Sequence, residues 1–284
     1  HRVASFFLLA YAISWSLDAA VLVLGTEPSW TRWIISGFLS ALGPAIAAGI
    51  VLSISGESLR GWLRRVVRWR VHPKWYAAAI GVPVIVALGS GAVLQLVGGP
   101  VEFASFAFDP VSLGIGILLG TTIGGGQEEL GWRGFAQPEL QEQYGGLRAA
   151  VIVGVLWGSW HLPLFFDPTV IHSQWPLQSQ LAYFVGIVAF SILIAWVYNG
   201  SGGSILLAML MHGAENAAGG LVPLDLERAI VEGVPDWVAL APMNVSHAVF
   251  MWLLALVAIG ATGTGLLARR EMRERRDSST TRGV

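Results

Sequence analysis

The sequence predicts an all-α, polytopic membrane protein of about eight transmembrane helices enclosing an intramembrane polar cavity. Three observations predict it. The 284 residues are 54% hydrophobic and only 12% charged, against about 25% charged in a soluble domain, and the mean hydropathy is +0.63. Eight apolar runs approach the roughly 17–25 residues that a bilayer-crossing helix needs. Inside three of those runs sit compact polar clusters, which are costly in hydrocarbon and therefore tend to face a protein interior and serve a function.

The runs lie at about 4–24, 33–54, 76–98, 111–137, 147–166, 181–199, 203–221 and 245–268. The first is too long for a signal h-region and lacks a small-residue cleavage site, so it is read as a span. The fourth and seventh are the least hydrophobic and carry the charges. Gly145-Gly146 and Gly200-Ser201-Gly202-Gly203 read as tight turns between antiparallel helices. Three regions follow: residues 1–110, the first three helices with a basic interfacial segment; 111–221, a core bearing the polar clusters; and 222–284, the last loop, the eighth helix and a basic tail expected to be disordered.

Charge placement orients the chain. Arg60, Arg64, Arg65, Arg68, Arg70 and Lys74 follow the second span, and Arg269, Arg270, Arg273, Arg275, Arg276 and Arg282 follow the eighth. Near 100–110, 167–180 and 222–244 only Arg228 is basic. Positive charge marks the cytoplasmic side, so both termini are expected there, in the plasma membrane of a prokaryote. The stretch 63–75 mixes basic and aromatic residues and suits an interfacial elbow or a site of substrate recruitment. Trp30, Trp33, Trp62, Trp69, Trp75, Trp175 and Trp237 sit near span ends, as an interfacial belt requires. With no cysteine, thiolate chemistry and cysteine metal sites are excluded.

The polar clusters are Glu128-Glu129 with Arg133, then His161, then His212 with Asn216. Glu129 and Arg133 are four apart on a helix and should pair. Glu128 is rotated by about 100° and lacks a local cation, which suits a general base. Glu128 lies 18 residues before Gly146 and His161 lies 15 after it, so across a hairpin the two meet at similar depth. Trp157 shares a helix face with His161, and His212 shares one with Asn216. Two histidines and a glutamate can hold zinc, or another divalent metal, with one position open for water. The same three can instead hold water directly, with Asn216 or a histidine donating to an oxyanion. The absence of an HExxH helix excludes an ordinary zincin site. His1, His72, His172 and His247 carry no assigned role, and Asp18 and Glu215 are polar residues without an explanation.

These residues resemble a known family. Glu128-Glu129-Leu130-Gly131-Trp132-Arg133-Gly134 is similar to the EExxxR motif of the CPBP intramembrane proteases, which include the type II CAAX prenyl endopeptidases and the Abi proteins of bacteriocin processing and immunity. His212-Gly213-Ala214-Glu215-Asn216 is similar to the HxxxN/D motif. Trp157-Gly158-Ser159-Trp160-His161 resembles FxxxH, with Trp157 in place of Phe, a change that keeps the aromatic ring. The resemblance covers about residues 115–221. It implies a polytopic intramembrane endopeptidase with a cavity open towards the cytoplasm. It implies that Glu128 activates water, that His161, His212 and Asn216 position water and carbonyl, and that Glu129 and Arg133 support them. The implied partners are a peptide or membrane-protein substrate and the lipid bilayer, not nucleic acid; nothing in the residues marks a prenylated substrate. A non-proteolytic immunity or scaffold protein and a proton-coupled transporter are the competing readings. The first is independent of Glu128, and the second predicts an inverted repeat, which the sequence lacks.

Overall fold

The computed structural model describes residues 1–23, 30–224 and 240–268. Arg228, Trp237 and the arginines from Arg269 onward lie outside the described residues, as do the side chains of Trp30 and Trp33. The described chain is helical, with one isolated bridge between Val101 and Leu224.

Among the described residues, ten helices carry the fold: α1 (Arg2–Val23), α2 (residues 30–54), α3 (Leu59–Arg64), α4 (Pro73–Leu96), α5 (Pro110–Thr122), α6 (residues 129–144), α7 (Gly146–Trp160), α8 (Leu177–Gly200), α9 (Ile205–Ala218) and α10 (Ala241–Thr262). Of the described residues, five stretches are long and apolar enough to cross a membrane: Arg2–Val23, Ile34–Ile54, Pro73–Leu96, Leu177–Gly200 and Ala241–Thr262. The expected spans 111–137, 147–166 and 203–221 fold as shorter pieces. The first of these breaks at Gly124-Gly125-Gly126, where Gly125 takes a φ of +118° that side chains rarely adopt. A short 3-10 turn, Gly126–Glu128, then starts α6. α7 stops at His161, because Pro163 cannot continue a helix.

Local chemistry sets several starts. Asp109 accepts from the backbone N–H groups of Val111 and Ser112 at the head of α5. Together with the Ser112 hydroxyl, these bonds hold its carboxyl below the usual range. Ser204 caps α9 by accepting from Leu207 N–H. Where α5 crosses α9, Gly120 lies so near Gly213 that a Cβ would stand 2.7 Å from its carbonyl oxygen. Small residues of this kind let membrane helices approach closely.

α8 packs on α7 and α10, α9 packs on α4 and α5, and α1 packs on α2. The main core holds Phe6, Phe7, Trp132, Phe135, Trp157, Phe190 and Met211. Phe6 meets Trp132 edge-on at 5.6 Å.

The two ends of the bundle differ. At one end Arg2 pairs with Glu57, the Ile205 amide donates to the Arg65 carbonyl, and Leu147 donates to Thr264. The basic elbow, the Gly145 turn and the Gly200–Gly203 turn are all at this end. At the other end lie the 161–176 connection and the Val101–Leu224 bridge. Arg32 reaches across there to Asp167 at 2.6 Å, with both side chains buried. The elbow also docks on α6, since Trp62 donates its indole N–H to Leu130 O and Arg65 donates to Gly134 O. That stretch of α6, Trp132–Ala136, is a π-bulge, a feature that frequently marks functional sites.

Candidate functional site

Glu129 opens α6, and one turn later Arg133 returns to it at 3.0 Å, with neither side chain exposed. The pairing expected from four-residue spacing is present. Arg133 also donates to Ser191 on α8, to Oγ at 2.8 Å and to the carbonyl at 3.2 Å. His212 on α9 closes the group, its Nδ1 lying 3.0 Å from Glu129 Oε1. A buried carboxylate is thus neutralised by a guanidinium and braced by an imidazole, so that three helices meet on one ion pair.

Glu128, one residue earlier, is turned away from that group and meets two indoles. Trp132 Nε1 and Trp157 Nε1 both donate to its Oε2, at 3.1 and 2.8 Å. The Trp157 bond crosses from α7 to the start of α6, so the depth match counted across the Gly145 hairpin is realised. His161 follows Trp157 by one turn, and its Nδ1 lies 2.9 Å from the Trp157 carbonyl. A carbonyl only accepts, which places the proton on Nδ1 and leaves Nε2 with a lone pair.

Glu128, Trp157, His161, His212 and Asn216 line one cavity of about 470 Å³, within the range typical of ligand sites. Asn216 donates to the Gly124 carbonyl at 2.5 Å. A Cβ on Gly125 would stand 2.7 Å from both Asn216 Nδ2 and His212 Nε2. Only glycine fits that break, and it lets the two nitrogens close on the backbone beside Glu128.

The remaining walls come from the end of the bundle away from the basic elbow. They include Asp18 and Ser36 of the first two helices, His172 and Trp175 of the connection after α7, Tyr183 of α8, and Asn244 and His247 of α10. Glu215, unexplained in the sequence, pairs with His247 at 2.6 Å. Burial pushes the His172 imidazole down to about 4. The sequence placed the basic elbow in the cytoplasm and, by resemblance, opened the cavity there too. The structure sets the elbow and the cavity at opposite ends.

Gly125, Trp132 and Ser191 belong to the site or its frame, yet were not singled out in the sequence, and His247, given no role there, lines the cavity. The glycine run before Glu128 is a usable signal for close backbone approach. Ser191 is a polar interruption in the apolar run of α8. The Glu215–His247 pairing joins helices with no local sequence relation.

Two imidazoles and a carboxylate are donor types that zinc accepts, and in both histidines Nδ1 is taken, leaving Nε2. Among the described residues, however, no three His, Asp or Glu side chains stand where one ion would touch them all. The donor types suit a metal; their present placement does not.

Residues 110–218 match the family model of the type II CAAX prenyl endopeptidase, Rce1-like proteins. Over that stretch the chain is similar to this family. All of the polar-cluster residues and Trp157 fall inside the matched stretch, whereas Asp18 and His247 fall outside it. CAAX prenyl protease 2 of Methanococcus maripaludis is 34% identical to this chain over 147 residues, which are 51% of each chain. The matched part of this chain therefore spans about half the length of the curated relative.

Proposed function

We propose that this protein is an intramembrane endopeptidase in which Glu128 activates water. The observation that carries the reading is the contrast at Glu128: one oxygen is tied to two indoles, which leaves Oε1 beside the cavity that His161, His212 and Asn216 also line.

The steps follow from these groups. A water donating to Glu128 Oε1 and to His161 Nε2 is oriented for attack on a peptide carbonyl. As its oxygen bonds to the carbonyl carbon, one proton passes to Glu128. The carbonyl becomes an oxyanion, which Asn216 meets with the N–H not used on Gly124. His212, held at Nδ1 by Glu129, adds Nε2–H when its ring is protonated. The proton on Glu128 then moves to the amide nitrogen as the carbon–nitrogen bond breaks. The products are a carboxylic acid and an amine, and Glu128 returns to a carboxylate. Glu129 and Arg133 touch no reacting atom; they fix His212 and the start of α6.

The substrate reading is a peptide or membrane protein, because the cavity lies among helices that reach membrane depth. The relative's printed name supports a prenylated CAAX peptide as the first candidate. No step passes through a metal. A divalent ion on Glu128, His161 and His212 is a separate proposal, one that needs these side chains to draw together; metal content of purified wild type against His212→Ala decides it.

Charge bias supports a cytoplasmic elbow, and the cavity then faces the opposite leaflet. Scission near the cytoplasm requires the inverted orientation. The absence of cysteine makes the test clean: single cysteines at Ser55, exposed at the elbow end, and at Ser173 are labelled with an impermeant maleimide in intact cells. Labelling at Ser173 alone supports a cytoplasmic elbow, and labelling at Ser55 alone supports cytoplasmic scission. The activity itself is tested by cleavage of prenylated and unprenylated peptides by purified protein. His161→Ala should abolish it, and a rate unaffected by that change sinks the reading.

A further inference from the structure

The residue that stands where the resembled motif has Phe does more than supply a ring. Trp157 touches every polar cluster. Its indole N–H bonds Glu128 Oε2 at 2.8 Å, its carbonyl takes His161 Nδ1 at 2.9 Å, and its ring lies 5.1 Å from His212 and 5.2 Å from the Arg133 guanidinium. It is 2% exposed, so its orientation is fixed by packing against α8 at Phe190, 5.9 Å away.

We propose that Trp157 is a positioning residue for the water-activating carboxylate: its indole N–H, with that of Trp132, locks Glu128 so that Oε1 faces the cavity, and its carbonyl sets the His161 tautomer. This deepens the reading of Glu128 as the base and rests on it. A carboxylate held at one oxygen by a single donor can still rotate about its Cγ–Cδ bond. Two indoles converging from different helices, α6 and α7, remove that freedom. Phenylalanine at this position keeps the carbonyl and the ring contacts but provides no donor. The two functions of Trp157 are therefore separable by chemistry that leaves the fold alone.

The test uses the full chain in detergent or nanodiscs, with a peptide that wild type cleaves. Trp157→Phe removes the donor, and incorporation of 3-benzothienylalanine at 157 removes it while keeping the bicyclic shape. Hydrogen bonds to charged groups are worth about 1.5–3 kcal/mol, so each should lower kcat about 10- to 100-fold with KM held. A benzothienyl protein with wild-type kcat overturns the proposal, since shape alone then suffices. A second readout needs no activity. The ¹⁵N-indole resonances of Trp157 and Trp132 should both move upfield in proton shift when Glu128→Ala removes their acceptor. Unmoved resonances overturn the proposal as well. Failure of the parent reading is distinct: there Glu128→Gln leaves hydrolysis intact, whatever residue 157 is.

Discussion

Glu128 and Glu129 are adjacent in sequence and both buried, yet their surroundings are opposite. Glu129 is met by charge: a guanidinium at 3.0 Å and an imidazole at 3.0 Å, with Arg133 continuing to Ser191. Glu128 is met by two neutral indoles on one oxygen, and its neighbours line an open cavity. The geometric cause is the roughly 100° between successive helical residues. The first arrangement neutralises a buried charge and ties helices together. The second leaves a carboxylate with an oxygen to use. A doubled glutamate is thus a way of placing a reacting group directly on its own support.

The sharpest way to break this comparison is to alter each member and look for opposite consequences. Glu128→Gln keeps the shape and an acceptor for the indoles but removes the base. Hydrolysis should fall by about 10²–10⁴-fold, the usual worth of a general base, while the thermal midpoint in detergent stays at the wild-type value. A large loss of stability without selective loss of rate would reverse the roles assigned here.

Arg133→Ala should do the reverse, acting first on folding. It leaves Glu129 buried without its cation, and breaking a buried pair costs about 3–5 kcal/mol. The expected outcome is a clearly lowered thermal midpoint and poor recovery of folded protein, with Arg133→Lys intermediate because lysine cannot reach Glu129 and Ser191 together. A stable, fully folded Arg133→Ala protein would mean that α8 and α9 hold α6 without the ion pair.

Asn216→Ala sharpens the comparison on the reacting side. Removing one oxyanion donor costs about 10²–10³-fold in kcat where it has been measured. KM should change little, because the donor acts on charge present only in the transition state. An effect confined to KM would make Asn216 a substrate contact instead.

Some of this was legible in the sequence and some was not, for physical reasons. The Glu129–Arg133 pair needs only helical spacing. The meeting of Glu128 with the Trp157–His161 turn needs only a count across Gly145. The break at Gly124-Gly125-Gly126 was absorbed into one expected span, because apolar glycines raise no hydropathy signal. The π-bulge at Trp132–Ala136 has no periodicity of its own. Trp157 was read as an aromatic ring equivalent to Phe, since a motif records residue class and not the direction of an N–H. The elbow arginines read as a basic cluster from the sequence, but that Arg65 spans to Gly134 and Tyr198 depends on tertiary packing alone. The same packing put the cavity at the far end from those arginines, which no loop count predicts.

The smallest expected effect tests the cavity's outer wall. His172 sits among Phe165, Trp175 and Tyr183, with ring centroids 5.6, 4.4 and 5.4 Å away, and burial holds its imidazole down to about 4. In the unfolded chain a histidine titrates near 6.5. As pH falls below about 6.5 the unfolded state therefore binds a proton that the folded state refuses, and stability declines. The decline from this residue ends near 4, once the folded protein is protonated too. The side chain is partly open to the cavity, so solvent screening reduces the size of the effect. His172→Phe keeps the ring packing and removes the titration. The thermal midpoint of wild type should drop more between pH 7 and 4.5 than that of the variant. Equal drops would mean that water reaches His172 freely, which would make the aromatic connection after α7 part of the cavity's open mouth rather than of its wall.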